Sequence, residues 1–218
     1  GAGLGTFNTV NGGVALALSG TGPKSFTGAV GGVTPLASLA VSGSTASLQA
    51  VTTAGAQNYT GVTTTTLNGT LAGAGVSAGN VNLAAGGGTI GGSSVALGTV
   101  DGAQALNITA TGGSVVLGAM NVFSVSASGS TIDLASATTT GSQNYAATVS
   151  TSMHGSHDTE CNSISFTGPV LLNGNASVDT TSGDFVPAGA NITFTGAIDG
   201  TRTLTLSAGT GGAIALQG

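Results

Sequence analysis

Two short stretches decide how this chain is read: Gly55-Ala-Gln-Asn-Tyr-Thr-Gly61 and Gly141-Ser-Gln-Asn-Tyr-Ala-Ala147. They hold the only two tyrosines of a 218-residue chain, each in a Gln-Asn-Tyr tripeptide, 86 residues apart. Sliding the sequence on itself by 86 positions aligns Gly32–Tyr59 with Gly118–Tyr145 without a gap. Ser42-Gly-Ser-Thr45 then lies over Ser128-Gly-Ser-Thr131, and Leu48 over Leu134. A chain biased to Ser, Thr and Gly matches itself by chance in places, but two Gln-Asn-Tyr copies in register are a stronger signal. The tyrosines are paired because the chain repeats.

A second marker supports the repeat. Val10-Asn11-Gly12, Val100-Asp101-Gly102 and Ile198-Asp199-Gly200 each place a β-branched residue before Asn-Gly or Asp-Gly, at spacings of 90 and 98 residues. Such dipeptides tolerate positive φ and mark turns. Alternating apolar segments follow each marker: Val14, Leu16 and Leu18; Leu106 and Ile108; Leu204 and Leu206. That period of two is a strand signal. The chain reads as one continuous array over 1–218: a first repeat at about 1–98, a second at 99–196 with an insertion near 155–190, and the start of a third at 197–218. Because both ends fall inside a repeat, a slice of a longer array is expected, and the first ten residues carry no signal-peptide pattern.

Composition narrows the class further. Charged residues are 4% of the chain, Gly contributes 40 residues, and 40% of residues are apolar. Helix surfaces need Lys, Glu and Arg, which are nearly absent, whereas small uncharged side chains suit stacked β-structure. With a net charge of −5 and two basic residues, Lys24 and Arg202, the chain has no footprint for nucleic acid and none for an anionic membrane surface. No apolar run reaches the length of a membrane span. A single cysteine, Cys161, rules out an internal disulfide.

Short strands separated by Gly, Ser, Thr and Asn fit two architectures. The expected one is an all-β fold, a right-handed parallel β-solenoid with coils of about 20–25 residues, on the order of ten coils stacked over roughly 50 Å. The alternative is a row of tandem immunoglobulin-like β-sandwiches. Thr, Ser and Val runs such as Val62–Leu67 and the scarcity of aromatics favour the solenoid.

Stretches such as Ser25–Ser44, Ala50–Thr64 and Phe194–Gly212 resemble the strand repeats of filamentous-haemagglutinin-like large bacterial adhesins. The resemblance covers most of the chain apart from about 153–184. It implies an exported, extracellular or cell-surface rod with a structural or adhesive role and no catalytic residues. It also implies self-association end to end or within a longer array, and a host or cell-surface receptor or glycan as partner. The family's amino-terminal secretion domain has no counterpart here.

One stretch breaks the pattern: Thr151-Ser-Met-His-Gly-Ser-His-Asp-Thr-Glu-Cys-Asn-Ser163. It holds both histidines, the only glutamate and the only cysteine. His154, His157 and Cys161 offer soft and borderline ligands for a transition metal, with Asp158 or Glu160 able to complete the set. A metal-binding module is thus one alternative function, and a disulfide between protomers through Cys161 another use of the stretch. The plain alternative is a solvated polar loop. His157 aligns with Leu71 at the 86-residue offset, so a core-type position has become polar. A polysaccharide-acting β-helix enzyme would need clustered carboxylates beside a base, which seven scattered acids do not supply. The expectation is therefore a non-catalytic protein without an obligatory cofactor.

Overall fold

The computed structural model describes residues 3–218, and its described residues contain strands and no helix. Nineteen strands form one sheet that winds on itself, and every pairing between these strands is parallel. The chain is a parallel β-solenoid of about eleven turns. Tandem sandwiches are excluded, because their sheets would be antiparallel; among the described residues the single antiparallel contact is an isolated bridge between Glu160 and Thr181.

Three walls make each coil, and an inward column runs up each of them. Along the first wall the register is Gly5, Lys24, Ala46, Thr65, Val81, Val100, Met120, Ala137, His157, Val178, Leu206. The second runs Val10, Val30, Val51, Leu71, Ile90, Ile108, Ala127, Tyr145, Phe166, Phe194, Leu216. The third runs Leu16, Leu39, Gln57, Val76, Val95, Val115, Ile132, Thr151, Val170, Ile198. Successive rungs of the second wall lie 18 to 22 residues apart, except the 28 between Phe166 and Phe194. The additional residues fall between Val178 and Ile192, where the chain leaves the wall and carries Phe185 at 91% exposure.

Period-two alternation is what makes these walls. In Ser94–Leu97 and Ser114–Leu117 exposed and buried residues alternate strictly, so one side of each strand packs inside and the other faces solvent. Val14, expected inside, precedes its strand and is exposed, while Leu16 and Leu18 pack against the core. Toward the C-terminal end aromatics stack along the axis: Tyr145 on Phe166 at 5.2 Å between ring centroids, and Phe166 on Phe194 at 4.7 Å.

The sequence repeat does not match a whole number of coils. Tyr59 belongs to the third wall and Tyr145 to the second, so 86 residues carry the chain through four coils and two further walls. The Asn/Asp-Gly markers behave alike, with Val10 on the second wall, Val100 on the first and Ile198 on the third. Their glycines have φ of +140°, +130° and +121°. A Cβ at Gly102 would stand 2.6 Å from the Leu83 carbonyl oxygen, and one at Gly200 2.6 Å from that of Leu172. Glycine is required there by both dihedral and space.

The axial aromatic stack should dominate stability at this end. Phe166→Ala is expected to cost about 3–5 kcal/mol in urea unfolding, whereas Phe185→Ala should change stability by less than about 0.5 kcal/mol.

Candidate functional site

Each Gln-Asn-Tyr copy fills a corner from within. After the second-wall strand at Val51, Thr53 Oγ1 donates to the Gly55 carbonyl at 2.7 Å and closes the turn. Gln57, fully buried, turns its amide inward; Nε2 donates to the Val51 and Ala72 carbonyls at 3.3 and 2.9 Å and approaches Thr53 Oγ1 at 3.3 Å. Gln57 Oε1 then accepts the Tyr59 hydroxyl at 3.0 Å. The second copy repeats every bond. Thr139 donates to Gly141, Gln143 Nε2 donates to the Ala137 and Asp158 carbonyls at 3.1 and 2.8 Å, and Tyr145 donates to Gln143 at 3.2 Å. The pattern Thr-x-Gly-x-Gln-x-Tyr is a corner plug, set into two different corners of the coil. Both tyrosines are buried, and burial pushes their hydroxyls well above the usual phenol range.

The polar stretch from Thr151 to Ser163 is mostly wall. The strand Gln143–Thr159 runs through it, and the solvated loop expected at 154–161 shrinks to a turn around Glu160 and Cys161. His157 points into the core between Ala137 and Val178, with no exposure. Its ring meets Tyr145 and Phe166 edge-on at 6.2 and 6.0 Å. Neither ring nitrogen has a hydrogen-bond partner among the described residues. Burial lowers its pKa to about 4; the His154 backbone works against this without reaching hydrogen-bond geometry, and the His154 charge adds to it.

His154 and Cys161 face outward, so the structure does not bring the three sequence-selected side chains together. His154 Nδ1 contacts Asn173 Oδ1 at 3.2 Å, and Cys161, at a φ of +57°, places its sulfur 3.0 Å from the Gly189 carbonyl oxygen. Among the described residues no three His, Cys, Asp or Glu side chains gather in a group that could hold a metal ion.

The outer surface of the first wall carries a feature that residue-by-residue reading missed. An unbroken column runs Thr6, Ser25, Ser47, Thr66, Asn82, Asp101, Asn121, Thr138, Asp158, Asp179, Ser207. Every member is a small hydrogen-bonding side chain. The members lie roughly twenty residues apart, so only the coil length, once known, would have brought them together. Near its end Asp158 and Asp179 occupy adjacent rungs beside a groove of about 480 Å³ that Ser156, Ser177 and Thr205 also line.

The two carboxylates differ. Burial raises the Asp158 pKa; Ser156, donating to both oxygens, lowers it, and the Asp179 charge raises it. Burial also acts upward on Asp179, but it is outweighed by hydrogen bonds from Thr181, Gly183 and Ser207, and the net shift is down. The Thr181 and Gly183 amides donate to it at 2.7 and 3.1 Å, which ties the protruding segment back to the wall.

No family model matches the chain, and no curated protein or solved structure matches it either.

Two outcomes are expected from this geometry. Gln143→Leu strands the Tyr145 hydroxyl and two buried carbonyls and should cost about 1–3 kcal/mol, part of which Gln143→Leu combined with Tyr145→Phe should recover. His157 has a folded pKa of about 4 against about 6.5 unfolded. The unfolded chain therefore binds the proton first. Stability is full above pH 6.5 and falls as pH drops toward 4, by about 2 kcal/mol at pH 5. His157→Leu should remove that component, as urea titrations at pH 7 and pH 5 would show.

Proposed function

We propose that this chain is a non-catalytic structural segment of an exported bacterial surface rod or extracellular filament, of the kind filamentous-haemagglutinin-like adhesins build. The observation that carries the reading is the uninterrupted stack itself, with inward columns of ten or eleven rungs on three walls. At a rung spacing of about 4.8 Å it forms a stiff spacer roughly 50 Å long. The near absence of charge fits this role, since parallel stacking sets like residues one above another and repeated charges would repel along the axis. The polar column of the first wall is the surface best suited to adhesion, to a receptor or glycan met through hydrogen bonds. Association with further coils of the same kind extends the rod.

Electron tomography of producing cells, with an antibody raised against this protein, tests the reading. Label along extracellular fibres is the expected result, and label confined to the cell interior overturns it.

A further inference from the structure

The sequence contains three Asn-Gly pairs, at Asn11, Asn68 and Asn173. Two have their side-chain amides fixed by the neighbouring coil. Asn11 Oδ1 accepts the Val33 amide at 2.9 Å, and the Gly12 amide itself donates to the Thr34 carbonyl. Asn68 Oδ1 accepts the Gly86 amide at 2.9 Å while its Nδ2 donates to Gln49. Asn173 differs. It is exposed, it lies where the ladder jumps from Met153–Leu172 to Gly155–Ala176, and three residues, 173–175, therefore oppose His154 alone. No backbone N–H among the described residues holds its Oδ1, which instead meets His154 Nδ1 at 3.2 Å. An amide oxygen only accepts, so the ring nitrogen donates. The imidazole is also packed close: a Cβ at Gly174 would stand 2.7 Å from His154 Cβ and 3.5 Å from its Cγ.

We propose that Asn173-Gly174 is a self-modifying site, at which His154 promotes conversion of the asparagine to aspartate and isoaspartate. The Gly174 backbone nitrogen attacks Asn173 Cγ, forming the new C–N bond of a succinimide and releasing its proton to solvent. Negative charge that develops on Oδ1 is met by the His154 Nδ1–H, a donor already aimed at that atom. The bond between Cγ and Nδ2 then breaks, and that nitrogen leaves as ammonia after taking up a proton from water. Water next opens the ring at one carbonyl or the other, giving aspartate or isoaspartate. The missing side chain at 174 leaves the attacking nitrogen unhindered, and proximity within the bulge makes the attack intramolecular. A bulge also accommodates the extra backbone methylene of isoaspartate better than a regular rung would. The product adds one negative charge to an almost uncharged surface.

Peptide mass mapping of the whole protein, incubated at neutral pH in isotopically labelled water, tests this. Amide-to-acid conversion with label uptake should be faster at Asn173 than at Asn11 or Asn68 by about a hundredfold, the low end of what one placed donor contributes. His154→Leu should bring Asn173 down to the rate of the other two, and His154→Gln, which keeps an N–H donor, should restore part of the difference. Equal rates at the three asparagines overturn the proposal, and so does a fast Asn173 that is indifferent to both His154 variants.

Discussion

Parallel hydrogen bonding between one coil and the next is the constraint from which the rest of this structure follows. In a parallel ladder each residue sits over a residue one coil earlier, so a side chain is judged by what stands directly above and below it. Large apolar residues are accepted inside because Leu39, Val76, Val95 and Val115 continue a column, and small hydrogen-bonding groups are accepted outside for the same reason. A charge placed outside would face its own kind only if the rungs repeated it, as Asp158 does over Asp179; burial is the main cause of the raised pKa of Asp158, and the Asp179 charge adds a smaller push in the same direction.

Corners are the costly element of such a winding, since turning the backbone leaves carbonyl groups without ladder partners. The plug of Thr, Gln and Tyr answers this from the inside, with one buried amide serving carbonyls of two successive coils. Asparagines answer it from the outside: Asn11, Asn68, Asn175 and Asn191 each accept a backbone amide of the following coil. His157, like the Thr65 and Thr151 hydroxyls, is an exception among the buried polar groups. It replaces an aliphatic residue of the column without gaining a partner, and the edge-on contacts with Tyr145 and Phe166 hold only a neutral ring.

Much of the architecture was legible from Gln-Asn-Tyr and the Asn/Asp-Gly markers, because repetition and period-two alternation are local properties. The coil length was not legible, since nothing local states which residue will stand over which; the estimate of about 20–25 residues was slightly long beside the 18 to 22 that recur here. The stretch around His154 was less legible for a related reason. Chemical variety suggested convergence, but alternate residues of a strand point to opposite faces. An odd spacing therefore turns His154 outward while His157 points into the core. The outer polar column was hidden altogether, because its members are dispersed along the whole sequence.

The mismatch between the sequence repeat and the coil has a geometric result for any longer molecule of this kind. Each added unit of 86 residues would present its features two thirds of a turn further around the axis. Three units would therefore distribute one surface patch over all three sides, in a screw pattern. Duplication or loss of a unit would not disturb the stacking, because the walls accept one another's residues, but it would redirect everything beyond it. A longer array would thus turn the same patch toward every direction without a second one.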